Sequence, residues 1–553
     1  MASSNTENYY ALVDMGSNGI RFSITDLAPQ TVRILPTVYL DRMDVSLYEV
    51  QHERTSGGRV PIPDEVISRV VTAIQRFQTT CEEFGTPPQN VCILATEATR
   101  VAANSAAFLQ RIHDATGLRV DLLPKEVEGR FGAMGIASSF SEPQGLTMDL
   151  GGGSVQLTRL AANNTDVVLR EPSPVSLPYG AAALTHLLNG ASTGQARDDL
   201  RRKICKDLKD ALTRLDVPIA GENEAGPSLY VSGGGFRGWG FLLMEQHAIQ
   251  PYPIPLINGF HVNTQTFQSS ASIQSNLEKA TSDAKVFRVS KRRAAQVPAV
   301  AFLISCFAET FPSISSVYFS QGGVREGWLF DKLSPEARGQ HPLVAAATAH
   351  APQHHDALFD LLLASLPSGP WRRDRSVPGK PILQSFIQML NVFSALPKDL
   401  RAASALHSTI SGVLAGAHGV SHIERALLSL MLCERFGGIK ALSATDQNLY
   451  ERLSQLIAPA MGWWCKYLGR VGAMLGTVHP AGVIKDERLG LEAFCEDGTI
   501  SLRLRLVRPA GKQDSGCQSS WLEVVQDAVN DIEKVGKSKE RGTAGYKVEV
   551  TVS

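Results

Sequence analysis

The sequence has no excess of charge of either sign: lysine plus arginine and aspartate plus glutamate stand at 54 each. No global basic field draws such a chain to nucleic acid or an anionic membrane, so any polyanionic ligand has to be captured by a local site. Long apolar runs are missing too. The longest, around Val297 to Ala308, is too short for a bilayer and fits a buried helix. The opening stretch, Met1 to Tyr10, lacks the basic patch and apolar core of a secretory leader. The eight cysteines are scattered with no C-x-x-C pair, which speaks against a metal clip or a disulfide framework and favours a reducing compartment. A cytoplasmic location is therefore expected. No repeat or long low-complexity segment is present.

What is present is the composition of an ordinary globular protein, 43% hydrophobic and 20% charged. At 553 residues the chain exceeds a single core, and three or four domains are expected. From about residue 9 to 335, short apolar strands alternate with helical stretches, as in α/β domains. Ala11 to Val13 and Ile20 to Ile24 read as two strands joined by Gly16-Ser17-Asn18-Gly19, with Asn-Gly as the hairpin signal. Asp64 to Phe84 has helical spacing, with Val66, Val70, Ile74 and Phe77 on one face. Val91 to Ala95 is a strand running into Thr96, whose hydroxyl is placed to cap the next helix. Two further strands, Leu146 to Leu150 and Leu229 to Ser232, each end in a glycine run, Gly151 to Gly153 and Gly233 to Gly235. From about 336 the character changes. Leu366 to Arg375 reads as an exposed loop, the region 382–476 as helical, Trp521 to Val535 as a helix, and Ile500 to Leu506 and Tyr546 to Val552 as strands.

Two segments carry chemistry. In Asp14-Met15-Gly16-Ser17-Asn18-Gly19-Ile20-Arg21, the glycines let backbone N–H groups approach phosphate oxygens, and Ser17 and Asn18 add donors. Asp14 can hold a hydrated Mg²⁺, and Arg21 supplies a charged fork for phosphate. Taken alone, the same segment is equally a plain hairpin. In Asp149-Leu150-Gly151-Gly152-Gly153-Ser154-Val155-Gln156, three glycines follow a buried strand, which is unfavourable unless something must come close. The acid at the strand tip, Asp149, suggests a second anchor for a metal or a water.

Together these segments resemble the paired phosphate loops of the actin/sugar-kinase superfamily. Ala95 to Arg100, Lys125 to Arg130, Leu177 to Ala181 and Gly323 to Gly327 narrow the resemblance to the Ppx/GppA family of exopolyphosphatases and guanosine pentaphosphate phosphatases. The phrase from Asp14 to Ile24 and the extended C-terminal region look most like the fungal retrograde-regulation branch of that family. The resemblance implies two ribonuclease-H-like α/β lobes, residues 1–137 and 138–335. A mainly helical, HD-like domain at 336–484 and a small β/α piece at 485–553 would follow. It implies phosphates between the Asp14 hairpin and the Asp149 loop, held by Gly16, Ser17, Asn18, Gly19, Arg21, Thr96, Gly151, Gly152, Gly153 and Ser154. Gly233 and Gly234 would line the far side of the cleft, and Mg²⁺ would sit on Asp14 and Asp149.

By the same resemblance Glu128 aligns with the general base that activates water, with Glu126 as a fallback, and Arg100 with the group that stabilises the transferred phosphoryl. Without a ligand role, Arg100 would pair with an acid such as Glu97. One position departs from the family's enzymes: where they carry a glutamate after the glycine loop, this chain has Gln156. Lys125 and Gly129 depart as well, from glycine and alanine. In the helical region Leu406-His407-Ser408 stands where a His-Asp pair is expected, so that region is read as a dimerisation or docking platform. His418 and His422, spaced i, i+4, suit a metal on a helix but are read as packed or solvated. The expectation is a regulator that binds ATP or polyphosphate, works through signalling protein partners in retrograde signalling, and hydrolyses weakly or not at all. The alternative is an active exopolyphosphatase or guanosine polyphosphate phosphohydrolase. A sugar or acetate kinase fits less well, because the phosphatase-type segments are present.

Overall fold

The computed structural model describes residues 6–52, 60–163, 166–169, 173–217, 226–281, 288–311, 313–367, 376–484, 488–506, 517–537 and 545–553. The chain divides into two compact units. The first holds residues 1–248, 256–342 and 418–420, and the second 249–255, 343–417 and 421–553.

The first unit contains two sheets of the same design. In the first, β1 (Tyr9–Gly16), β2 (Gly19–Asp26) and β3 (Thr37–Met43) form an antiparallel meander. β4 (Val91–Ala95) and β5 (Val120–Leu122) then add parallel to β1, giving the order β3-β2-β1-β4-β5. The helices α1 (Asp64–Glu83), α2 (Glu97–Arg100) and α3 (Ser105–Thr116) connect these strands, and α4 (Lys125–Ser138) leads out of the lobe. In α1, acids in the first turn favour the N-terminal end of the helix dipole, and Val66, Val70, Ile74 and Phe77 form the buried stripe the spacing predicts. Each such side chain contributes about 1.5–3 kcal/mol by burial. Phe77 meets Phe22 of β2 with ring centroids 5.2 Å apart.

The second sheet repeats the plan. β6 (Gly145–Leu150), β7 (Val155–Asn163) and β8 (Asp166–Leu169) form the meander, with β9 (Val175–Leu177) also on β7. After α5 (Ala181–Gly190) and α6 (Gly194–Arg214), β10 (Ser228–Ser232) adds parallel to β6. β11 (His261–Asn263) and β12 (Ser316–Phe319) complete the order β11-β12-β10-β6-β7-β8. The connecting helices are α7 (Gly234–Glu245), α8 (Thr264–Gln268), α9 (Ser270–Thr281) and α10 (Lys291–Thr310), the last containing the apolar run read as a buried helix. The duplication makes the two tips equivalent: Asp14 lies near the end of β1 opposite Arg21, and Asp149 near the end of β6 opposite Gln156.

α4 crosses α11 (Val324–Asp331) at close range. A Cβ at Gly135 would collide with the Gly323 carbonyl, and one at Gly327 with that of Phe131, so glycine is what lets the backbones touch. Arg33, wholly buried and with no carboxylate partner among the described residues, caps the end of this crossing by donating to the carbonyls of Ser138 (3.1 Å), Phe140 (2.7 Å) and Gln340 (3.0 Å).

The second unit is mainly helical, with a small sheet at its C-terminal end. Two of its helices, His422–Arg435 and Pro459–Val478, pack closely on each other: a Cβ at Gly469 would stand 2.8 Å from the Met431 carbonyl and collide with Glu434. A buried Glu434 there accepts from Arg470 (2.7 Å) and from the Tyr450 hydroxyl (2.6 Å). β13 (Leu489–Glu496), which sequence pattern missed, pairs antiparallel with β14 (Thr499–Leu506). Helix Cys517–Lys537 returns the chain so that β15 (Lys547–Val552) joins parallel. Most of the loop predicted from Leu366 to Arg375, residues 368–375, lies outside the described residues.

One local expectation is corrected, and the histidine pair is placed. Thr96 does not cap α2; its hydroxyl donates back to the Met15 carbonyl at 3.3 Å, tying the end of β4 to the β1–β2 hairpin. His418 and His422 do not share a helix, because the helix begins at His422. His418 instead bonds Ser138 and Ser139 in the first unit (2.8 and 3.2 Å), while His422 meets the Tyr252 hydroxyl at 2.8 Å. His407 has an acid after all: its Nε2 lies 2.9 Å from Asp446, brought by a later helix, while Ser408 is fully buried. Among the described residues no helix is long and apolar enough to cross a membrane.

Candidate functional site

Because both sheets end their first hairpin and their first parallel strand at the same side, four loops converge there. They enclose a cleft of about 340 Å³ within the first unit. Its walls include Asp14, Gly16, Ser17, Asn18, Gly19 and Arg21 from the β1–β2 hairpin, and Asp149, Gly151, Gly152, Ser154 and Gln156 from the β6–β7 hairpin. Thr96, Glu128, Gly233 and Gly234 complete the predicted set that faces the cleft; Arg100 and Gly153 stand behind this lining.

The loops are held by backbone bonds. Ser17 and Asn18 form the two-residue turn between Gly16 and Gly19, and the Ser17 carbonyl accepts from Tyr48 N at 3.0 Å and Ser46 Oγ at 3.2 Å. The carbonyls of Gly151, Gly152 and Gly153 accept from Ala181, Ala182 and Gly180 at the start of α5 (2.9, 2.9 and 3.1 Å). The two hairpins touch at Gly152, where a Cβ would stand 2.8 Å from the Asn18 amide. Gly233 takes a left-handed φ of 95°, and a Cβ there would collide with Leu150 and approach Asp149 Oδ1 to 2.9 Å.

The electrostatics divide the cleft. On one side lie buried acids. Burial raises the Asp14 carboxyl above its ordinary range, against the pull of Arg21 and Arg325. Burial pushes Asp149 up to about 6, with Arg21 opposing and Asp14 and Glu326 adding repulsion. Two carboxylates that resist ionising side by side suit a hard cation that takes oxygen ligands, waters and ligand phosphates. They fit Mg²⁺ in that shared form; among the described residues no group of three such ligands forms a cage. The lining also holds arginines to which the sequence reading assigned no ligand role: Arg42, Arg237, Arg292 and Arg293, together with Arg325 near Asp14. Burial, then mutual repulsion with Arg293, Arg21 and others, lowers Arg237 to about 10. Arg293 is lowered by burial and by Arg42, Arg21 and Arg292. A sequence signal for this wall existed. Arg292 and Arg293 occupy the first turn of α10, where positive charge opposes the helix dipole, so they are there for something other than the helix.

Glu128, near the start of α4, is buried, whereas the fallback Glu126 is exposed. Burial pushes Glu128 up to about 7, only partly offset by Arg100, whose Nη2 donates to Oε2 at 3.0 Å. Arg100 thus pairs with Glu128 and not with Glu97. Gln156, buried, donates from Nε2 to Ser154 Oγ at 2.8 Å.

Residues 24–336 match the model of the Ppx/GppA phosphatase family, and residues 341–553 that of the RTG2 C-terminal domain. The chain belongs to the Ppx/GppA phosphatase family. It is 35% identical over 99% of its length to retrograde regulation protein 2 of Saccharomyces cerevisiae, covering 91% of that protein. A further relative is the guanosine-5'-triphosphate,3'-diphosphate pyrophosphatase of Photobacterium profundum, 27% identical over 33% of this chain and 32% of that one. Among solved structures, the Ppx/GppA family member of Aquifex aeolicus is 21% identical with a TM-score of 0.45, covering 59% of this chain and 97% of that one. An exopolyphosphatase of Cytophaga hutchinsonii is 17% identical with a TM-score of 0.44, over 59% of this chain and 99% of that one.

Proposed function

We propose that this chain is a regulator that binds a phosphorylated ligand, ATP or polyphosphate, with Mg²⁺ in the cleft and hydrolyses it slowly or not at all. The observation that carries the reading is the pairing of two buried carboxylates, Asp14 and Asp149, with a wall of arginines across one cleft. Asp14 and Asp149 would hold the cation, and the guanidinium groups would take the phosphate charge that remains. The bound cation would neutralise phosphate charge. The neutral Gln156, engaged by Ser154, lies opposite Asp149 where the family's enzymes have an acid, which supports binding over turnover. The likeness to retrograde regulation protein 2 supports a role in mitochondria-to-nucleus signalling through protein partners, with the second unit as their docking or dimerisation platform. The test is the melting temperature of purified protein with ATP or polyphosphate, with and without Mg²⁺, read beside phosphate release. A shift that needs Mg²⁺ is expected, with little release. No shift with either ligand overturns the reading.

A second reading has one observation in its favour. Glu128, buried and raised to about 7 beside the cleft, has the proton affinity of a general base poised for neutral pH. On that reading the chain is a working exopolyphosphatase or guanosine polyphosphate phosphohydrolase. Ordinary turnover in the same release assay decides for it.

A further inference from the structure

The glycine loop that leads to position 156 receives a carboxylate that the family resemblance does not assign. Glu97 opens α2 directly after the cleft residue Thr96, on the first lobe. Its side chain crosses to the glycine loop of the second lobe. A Cβ at Gly153 would collide with Oε2 and stand 2.8 Å from Cδ, so the absence of a side chain there makes room for this carboxylate. Oε2 is buried and has no hydrogen-bond partner among the described atoms. A buried, unpaired carboxylate oxygen costs stability, and in a native fold it calls for a water or an ion that completes it. Its charge also reaches the reacting end of the cleft, adding to the proton affinity of Glu128 after the larger effects of burial and Arg100. Position 156 itself supplies no charge, and its amide is held by Ser154.

We infer that Glu97 is a positioning residue of the phosphate site: its carboxylate, reaching the glycine loop from the other lobe, orders the water around the Mg²⁺–phosphate ligand in place of the acid absent at position 156. The inference rests on the proposed Mg²⁺–phosphate binding and adds a residue to it. Through water, Glu97 would set the affinity for the cation, as partners beyond the direct ligands of a metal do. A purely structural role predicts something different. Glu97 would then matter for folding alone, and its removal would have the same consequence whatever stands at position 156.

A double-mutant cycle separates these cases. Wild type, Glu97→Gln, Gln156→Glu and the double variant are purified as the full chain. Each is titrated with Mg²⁺ at fixed polyphosphate, following the melting temperature, and assayed for phosphate release. Glu97→Gln is expected to raise the Mg²⁺ concentration for half-maximal shift by about tenfold or more. In the Gln156→Glu background the same change is expected to cost less than about threefold, because the restored acid takes over. The ligand-free melting temperature of each variant shows that it has folded, and Glu97→Asp, which keeps the charge, is expected to retain part of the Mg²⁺ response if the glutamine variant does not fold. Equal losses in both backgrounds, or no loss in either, overturn the inference while the binding reading stands. A wild type with no Mg²⁺-dependent shift overturns both.

Discussion

Arg100 donates from Nη2 to Glu128 Oε2 at 3.0 Å, both side chains being largely buried. The arginine aligned with phosphoryl stabilisation is therefore the counter-ion of the aligned base. Burial still dominates, and Glu128 sits at about 7. If Glu128 takes a proton from water, phosphate release should rise with pH through about 7 and level off above it. Removing the guanidinium with Arg100→Met takes away the influence that lowers the value, so the limb should move to higher pH. The sign for stability is opposite. The folded value lies above the 4.5 of a free carboxyl, so this group's contribution is complete below about 4.5 and declines as pH rises through about 7. Glu128→Gln should flatten that decline in pH-dependent melting curves.

Asp149 and Asp14 give a test of the cation. Asp149→Ala removes one of two adjacent carboxylates and should abolish most of the Mg²⁺-dependent part of the ligand-induced melting shift. Because Asp149 is raised to about 6, protons compete for it, and the Mg²⁺ response of the wild type should weaken as pH falls below about 6. Isothermal titration at pH 5 and pH 8 reads both effects. An undiminished Mg²⁺ response in Asp149→Ala would remove this residue from the site.

Much of this site was legible in the residue order, and the reason is local. A glycine run after a buried strand is unfavourable unless something comes close, so Asp149 and the Gly151–Gly153 loop stood out, and beside them the Asp14 hairpin, which alone could be a plain turn. Their side chains are placed by hairpins whose partners lie a few residues away. Arg42 and Arg237 were missed because β3 and α7 bring them to the cleft only through tertiary packing. His407 makes the same point in the second unit. Its next residue, Ser408, is not an acid, yet Asp446 reaches it from 39 positions away. Thr96 showed the converse failure: a local capping rule lost to a bond with Met15 on the neighbouring strand. β13 alternates weakly, with Gly490 and Ala493 in its run, and only pairing with β14 makes it a strand.

The α4–α11 crossing makes a prediction about stability alone. Gly135→Ala places a methyl group into the Gly323 carbonyl, and helix backbones cannot yield as a flexible side chain does. The cost should be about 1–3 kcal/mol or more. Gly190→Ala, at the end of α5 with nothing within 4 Å of the added carbon, is the control and should change stability little. Denaturant midpoints of the two variants measure the difference. Equal midpoints would mean the crossing is looser than its geometry implies.

Position 156 decides between sensor and enzyme. Gln156 lies opposite Asp149 in the β6–β7 register, is buried, and has its amide on Ser154. A glutamate of the same length fits the space and restores a charge beside Asp149. Gln156→Glu should speed phosphate release while leaving ligand affinity little changed, since the arginine wall and hairpins are untouched. Glu128→Gln is the internal control. Loss of a general base typically costs on the order of a hundred- to ten-thousand-fold, so it should erase whatever activity Gln156→Glu gains. Two outcomes would remove the regulator reading: wild-type turnover at ordinary enzyme rates, roughly 1 per second or faster, or a Gln156→Glu variant that loses activity the wild type had. Tight binding with no release in either form would leave that reading in place. It would move the cause to α4, where Lys125 replaces glycine and Gly129 replaces alanine. Gly129 packs so closely on Pro174 that an alanine there would need Pro174 to move, its Cβ falling 2.7 Å from the proline ring. The first turn of α4 carries Glu128, so the packing of Gly129 on Pro174 would then be what places the base. Restoring both positions with Lys125→Gly and Gly129→Ala in the Gln156→Glu background then becomes the decisive phosphate-release measurement.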